Sequence, residues 1–282
     1  MKDKIFIKSP MNYIGGKYKL LNQIIPLFPK DIYTFYDIFA GGLDVSINVK
    51  AKEIISNDIC FQIINLYKAL QKLEFKEVNI EINKLIDKYK LSKTNKDGYL
   101  KLREHYNSLK DDISLFTLIC YSFNHNIRFN KENAFNVPFG ANRSSYNKRI
   151  ERNLSIFIEN IKDIKFESKD FYDIIPKKDV NNFVYADPPY LLTVASYNEN
   201  GGWNKELEIK LLNYLKSLHD NNIKFALSNI IKNRYGEHTI LKEWVKENKF
   251  NIHYLNMDYR NSFYQKRDKK TKDKEVLITN YF

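Results

Sequence analysis

The chain has 282 residues, room for one large domain or for a catalytic domain carrying a smaller insertion, and too many for a small disulfide scaffold. With 43% hydrophobic and 28% charged residues and a mean hydropathy of −0.51, it builds a core and stays in water, which excludes wholesale disorder. Forty-six Lys and Arg against 34 Asp and Glu leave a net charge of +12, which points to a polyanionic partner such as nucleic acid, a Lys- and Asn-rich composition being the plainer alternative.

Cys60 and Cys120 make no CxxC pair, and the five histidines show no metal-ligand spacing, so neither a disulfide framework nor a metal site is expected. The stretch Met1 to Pro10 is charged within four residues, and no apolar run approaches the ~18 residues that span a bilayer. Neither secretion nor membrane insertion is predicted, and the expected location is cytoplasmic. Only nine glycines occur, and six fall in the pairs Gly15-Gly16, Gly41-Gly42 and Gly201-Gly202. Such pairs let the backbone turn through positive φ or approach a ligand closely.

In chain order, Leu20, Leu21, Ile24, Ile25 and Phe28 recur at helical spacing from Lys17 to Phe28, and Pro26 and Pro29 mark the end of that helix. A strand at Thr34 to Phe39 runs into Gly41-Gly42, and a second at Glu53 to Ser56 ends at Asn57-Asp58. This is the rhythm of a nucleotide-binding α/β unit. From Phe61 to about Asn160 the pattern changes: Leu66, Leu70, Leu73, Ile82, Leu85 and Ile86 predict helices, read as an insertion. Strands resume at Ile164 to Glu167, Phe183 to Ala186, Ile223 to Ser228, Phe250 to Leu255 and Val276 to Tyr281. Helices lie near Glu206 to Leu218, where Asn204 is a candidate cap, and near Leu241 to Asn248. Tyr259 to Lys274 carries seven Lys and Arg against two Asp and reads as a mobile loop that contacts phosphate without reading sequence.

The sharpest chemical signal is Asp187-Pro188-Pro189-Tyr190, directly after a predicted strand, where α/β sheets place their ligands. Two prolines fix the backbone and remove two donors, leaving carbonyl acceptors beside a carboxylate and an aromatic ring. That set accepts hydrogen bonds from an amino group lying flat on a ring. An exocyclic adenine amine needs such treatment, because its lone pair is delocalised into the base and must be drawn toward sp³ geometry before it acts as a nucleophile. Tyr190 would stack on the purine. The glycine turn after Tyr36-Asp37-Ile38-Phe39-Ala40 and the acid Asp58, placed for ribose hydroxyls, complete the set. Downstream, Ala195 to Asn198 and Gly201-Gly202-Trp203 form a loop that would fold over a flipped adenine or cross over to the next helix.

With these motifs the chain resembles the Dam-like DNA adenine N6-methyltransferases, over nearly its whole length. Tyr13-Ile14-Gly15-Gly16-Lys17 is similar to the family's aromatic-x-Gly-Gly-Lys motif, whose aromatic and lysine border the cofactor. Asp37 to Gly42, with Phe39, Gly41 and Gly42, resembles the cofactor loop, Asp58 the ribose-binding acid, Asp170-Phe171 the element near the cofactor adenine, and Asp187 to Tyr190 the catalytic motif. Three positions depart from the pattern: Tyr13 where Trp is usual, Leu43 where a further glycine is usual, and Lys169 in place of glycine. Tyr121 to Arg143 resembles the target-recognition segment, with five positive residues against one negative over 121–150. The resemblance carries base contacts to Asn124, Arg128 and Pro138, with Asn126 and Arg143 as added candidates; Arg suits guanine O6/N7 and Asn suits adenine. Asn124-His125-Asn126-Ile127-Arg128 stands where GATC-reading members carry Asn-Gly-Leu-x-Arg, so a GATC target does not follow.

The resemblance implies a Rossmann-like α/β methyltransferase fold with a seven-stranded mixed sheet whose last strand is antiparallel. The catalytic, S-adenosylmethionine-binding domain would comprise 1–60 and 161–282, and a helical target-recognition domain 61–160. It also implies methyl transfer to a flipped adenine in double-stranded DNA, no metal, and a restriction-modification context with a separately encoded endonuclease; a monomer on DNA is the default expectation. An RNA adenine or protein-amide methyltransferase and a non-catalytic DNA-binding module stay open as alternatives.

Overall fold

Four consecutive buried residues, Thr34–Asp37, make the first strand (β1), and a strand buried throughout must be covered on both faces. In the computed structural model, which describes residues 6–177, 181–193, 202–234, 236–256 and 273–282, β1 lies inside a large sheet. Its companions are β2 (Glu53–Asn57), β3 (Ile164–Glu167), β4 (Asn182–Ala186), β5 (Lys224–Asn233), the two-residue β6 (Gly236–Glu237), β7 (Asn251–Leu255) and β8 (Lys274–Thr279). The strand order is β3-β2-β1-β4-β5-β8-β7, seven strands, with β6 paired only to the end of β5. The pairs β1·β2, β1·β4, β2·β3 and β4·β5 are parallel, and β8 runs antiparallel to both β5 and β7. The expected mixed sheet with an antiparallel last strand is therefore what forms.

Order reverses between β1 and β4, whose carboxyl ends lie side by side, with Asp37 opposite Tyr185. Such a switch point opens a crevice at the strand ends, because the connections leave toward opposite faces. Asp37 closes β1 and Asp187 follows β4, so the topology brings two distant acids to one edge.

Alternation along the strands divides the core. Phe35, Phe183, Tyr185, Ala226 and Leu277 meet Leu20, Leu21, Ile24 and Phe28 on one face; Tyr36, Val184, Phe225 and Ile278 meet α7 (Lys205–Asp220) and α8 (Thr239–Asn248) on the other. The predicted helix from Lys17 to Phe28 forms as a 3₁₀ turn, a four-residue helix α1 (Leu21–Ile24) and a second 3₁₀ turn, Ile25–Leu27. Pro26 supplies no amide hydrogen, so the last turn tightens and stops. β5 runs to Asn233, past the predicted end at Ser228, because its continuation pairs with β8 across an irregularity at Ile230/Lys232 and its last two residues pair with β6.

Residues 61–160 hold α2 (Phe61–Lys72), α3 (Phe75–Tyr89), α4 (Lys96–Leu109), α5 (Asp112–Tyr121) and α6 (Lys148–Asn160). Asn95, Asp111, Asn147 and Asn204 accept amide hydrogens at the starts of α4, α5, α6 and α7, so the expected Asn204 cap is present. In a chain with nine glycines, α3, α4 and α8 end on left-handed lysines instead, Lys90, Lys110 and Lys249 at φ 50°, 57° and 55°. The apolar faces of α2 to α6 form one cluster with Met11, Ala40, Leu43 and Ile47 from the sheet's side of the molecule. Among the described residues no helix is long and apolar enough to cross a membrane.

Candidate active site

Asp187 leaves the carboxyl end of β4 with its side chain 17% exposed, and Pro188 behind it is buried while Pro189 is exposed. Both carboxylate oxygens are held. Lys17 Nζ lies 2.8 Å from Oδ2, and the Tyr190 hydroxyl stands 3.1 Å from Oδ1. The Lys17 ammonium, 4% exposed, also donates to the Gly15 carbonyl at 2.6 Å and lies 5.0 Å from the centre of the Tyr190 ring. The Tyr13-to-Lys17 motif thus delivers its cation to Asp187. Burial pulls the Lys17 ammonium down, but the carboxylates of Asp187 and Glu275 outweigh it and hold it above the ordinary lysine value. Burial pushes Asp187 above the usual carboxylate range, against the pull of Lys17 and Tyr190.

The glycine loop is built on close backbone approach. Gly41 turns at φ +45°, and a Cβ there would meet the Tyr13 ring at 3.0 Å; one on Gly42 would meet Tyr13 Cβ at 3.0 Å. The aromatic of the first motif is therefore packed on the glycines of the second, and a Cβ on Gly16 would lie 2.7 Å from Asp44 Oδ2. Leu43, where the resembled family usually has glycine, keeps the left-handed turn at φ +64° and is fully buried. That conformation costs an L-residue roughly 1–2 kcal/mol, offset here by burial in the helical cluster. Gly41 N–H donates to Asp58 Oδ2 at 2.8 Å and Cys60 N–H to Asp58 Oδ1 at 2.9 Å, so this acid braces the loop from the end of β2. Tyr67 on α2 donates its hydroxyl to the Gly41 carbonyl at 2.6 Å.

Asp37 Oδ2 accepts from Ser46 at 2.6 Å, and Ser46 in turn accepts from Ser56 at 2.8 Å. Among the described residues, the buried Oδ1 has no partner. Burial, with the charges of Asp187 and Asp58 adding to it against the Ser46 bond, raises Asp37 to about 7. The Phe39 amide also favours the ionised form, and a buried carboxylate oxygen with no side-chain partner fits a cationic donor from outside the chain.

Asn57 clamps the third element: its Oδ1 accepts from Lys169 N–H at 2.9 Å and its Nδ2 donates to the Lys169 carbonyl at 3.0 Å. Asp170, half-buried, then leads into Phe171, whose ring lies 5.4 Å from Phe39 and 5.9 Å from Trp203. Phe39 meets Trp203 edge-on at 5.6 Å. This aromatic group, Gly15 and the free Asp37 oxygen suit an adenosine carrying an amino-acid tail.

In the segment between α5 and α6, Asn124, Pro138 and Arg143 are exposed and Asn126 and Arg128 half-buried. The Asn124 carbonyl accepts from Asn12 Nδ2 at 2.7 Å, hooking the segment to the first motif. Arg128 donates to the Asn136 side-chain and backbone oxygens at 2.8 and 3.1 Å, and the Pro138 carbonyl accepts from Phe123 N–H at 2.8 Å. The bridges Ser122 to Phe139 and Phe129 to Phe135 fold the rest into a narrow arm. Residues 195–201 of the predicted loop from Ala195 to Trp203, and most of the basic tract, lie outside the described residues.

Sequence reasoning missed Glu275 and Tyr67. A lone acid opening the run Val276-Leu277-Ile278 marks the first, whereas a tyrosine on an apolar helix face gave no mark at all.

A family model described as D12 class N6 adenine-specific DNA methyltransferase matches residues 13–274. The chain is 44% identical over 287 residues to the type II methyltransferase M.FokI of Planomicrobium okeanokoites, covering 99% of this chain and 44% of that protein. It is 42% identical over 289 residues to the modification methylase StsI of Streptococcus sanguinis, covering 99% and 43%. It therefore spans less than half the length of these two relatives. A DNA adenine methylase of Salmonella typhi is 27% identical over 256 residues, 89% of this chain and 87% of that protein. The match runs from the Tyr13 motif through the glycine loop and the Asp187 turn to the start of β8, and on that ground the chain belongs to the D12 class N6 adenine-specific DNA methyltransferases.

Proposed function

We propose that the chain transfers a methyl group from S-adenosylmethionine to N6 of an adenine in a short double-stranded DNA sequence, protecting that DNA from a separately encoded restriction endonuclease. The observation that carries this reading is the Asp187 carboxylate, fixed through both oxygens at the end of β4 beside the Gly41-Gly42 loop and the unpaired Asp37 oxygen. Relatives named as a type II methyltransferase and a modification methylase support the restriction-modification context.

Asp37, Gly15, Gly41, Asp58, Phe39 and Phe171 would hold the methyl donor, which supplies an electrophilic sulfonium methyl when bound. The target base is unreachable inside a duplex and is swung out at a cost of a few kcal/mol. Asp187 and the Pro188 carbonyl then accept from its amino group, localising the lone pair, while Tyr190 stacks on the ring. Positioning and preorganised charge supply the acceleration. Asn124, Arg128 and Pro138, with Asn126 and Arg143, read base edges, and the net charge of +12 favours the phosphate backbone.

The test is modification-sensitive sequencing of DNA from a host that lacks adenine methylation and expresses this chain. Methylated adenine at one short motif is the expected result; none, from folded protein, would refute the reading. The Asp37 value of about 7 adds a second expectation. An ammonium donor prefers the ionised acid, so affinity for S-adenosylmethionine should weaken as pH falls below about 7, by at most ~10-fold per unit. Calorimetric titrations from pH 8 to 6 check this, and Asp37→Asn should flatten the dependence; equal affinity of the unmutated chain across the range would contradict it.

A further inference from the structure

Glu275 is a buried acid that the chemistry above leaves unused. It is the second residue of β8, 3% exposed, opposite Ile230 on β5 and Leu255 on β7. Because β8 runs antiparallel, its amino end lies at the edge where the parallel strands finish, and the topology carries an acid from late in the chain into the site. There Glu275 Oε1 meets the Tyr190 hydroxyl at 3.1 Å and Lys17 Nζ at 3.7 Å. Asp187 meets the same hydroxyl at 3.1 Å and the same ammonium at 2.8 Å. Two acids thus share one cation and one hydroxyl, in a closed ring of four side chains.

Charge and proton counting give the ring a purpose. A Lys17–Asp187 pair alone is neutral, and a neutral pair is a weak partner for an amine on which positive charge grows during methyl transfer. With Glu275 ionised, two negative charges face one positive, an excess of one. Tyr190 has a single proton to donate, so each acid draws the hydroxyl away from exclusive service to the other. We propose that Glu275 is a positioning residue for the methyl transfer: it fixes Lys17 and Tyr190 against Asp187 and gives the cluster its excess negative charge. The inference rests on the reading that Asp187 receives the adenine amine.

The groups facing Glu275 are Lys17 from the first motif, Asp187 and Tyr190 from the turn after β4, and the neutral phenol of Tyr185 from β4 itself; its strand neighbours Ile230 and Leu255 carry no charge. In Glu275→Gln the Lys17 ammonium and the Tyr190 hydroxyl serve Asp187 alone, which favours its ionised form and moves its ionisation to lower pH.

The experiment compares the full chain with Glu275→Gln and Glu275→Asp on unmethylated duplexes carrying the target motif. It records single-turnover rate against pH, KM for DNA, affinity for S-adenosylhomocysteine and melting temperature. The expected result for Glu275→Gln is a rate lowered ~10–100-fold with KM and cofactor-product affinity within about threefold. Its acid limb should move to lower pH, and Glu275→Asp should recover part of the rate. An unchanged rate and pH profile would overturn the inference, as would a rate loss matched by lost binding or lost stability with the acid limb in place. If the unmutated chain methylates no duplex, it is the reading of Asp187 itself that fails.

Discussion

Asp187→Ala abolishes methyl transfer, an expected loss of about 10³-fold or more, ~4 kcal/mol of transition-state stabilisation, with the fold retained. The carboxylate is anchored through both oxygens at the end of β4, and under the proposed function it is the charged acceptor that, beside the Pro188 carbonyl, draws the adenine amine toward sp³ geometry. Alanine removes the acid without exposing a stranded cation: Lys17 keeps Glu275 at 3.7 Å and the Gly15 carbonyl at 2.6 Å. The helices and sheet should therefore persist, and circular dichroism together with the melting shift on adding S-adenosylmethionine monitors that. Residual single-turnover transfer within about tenfold of the unmutated chain, in folded protein, would remove Asp187 from the chemistry.

Lys17→Met carries the largest expected effect on stability. Among the described residues it takes the only cation from this pair of acids, and breaking a buried ion pair from one side costs about 3–5 kcal/mol. The pH dependence identifies the cause. Burial already holds Asp187 and Glu275 above the usual carboxylate range, and without Lys17 both rise further. Acids whose folded values lie above their unfolded ones stabilise the fold below about pH 4 and lose that contribution as pH rises through the folded values. The deficit relative to the unmutated chain should thus be smallest near pH 5 and widen toward pH 8. Urea midpoints at pH 5, 6, 7 and 8 measure it, and a deficit that does not change with pH would mean that lost packing, not stranded charge, is responsible.

The scaffold and the catalytic edge were legible because their signals are local. Ile164–Glu167 forms as predicted, and Asp187 needs only its strand and its two prolines to be placed. Glycine scarcity made Gly15-Gly16 and Gly41-Gly42 stand out, and Tyr13 packed on the latter explains why the two motifs belong together. The remaining parts depend on long-range geometry. Glu275 enters the site through strand order and direction, which no window of sequence contains, and Tyr67 looks like any other buried residue of an amphipathic helix until its hydroxyl is seen on the Gly41 carbonyl. Leu43 hides a left-handed turn behind an apolar side chain, and the 3₁₀ turns around α1 preserve the helical burial pattern while changing the backbone.

The apolar cluster that joins α2 to α6 with Met11, Ala40, Leu43 and Ile47 bears on how family members can exchange parts. A chimera cut at 61 and 160 would divide a continuous hydrophobic interior and strip Tyr67 from the glycine loop, so donor and host side chains would have to interlock afresh. Breakpoints at the end of α5 and the start of α6 transplant only the arm of residues 122–147, which carries Asn124, Arg128, Pro138 and Arg143 and, of the buried residues in that interior, exchanges only Phe129, Phe135 and Val137. The boundary at which recombination can diversify this chain is therefore drawn by packing, inside the helical region.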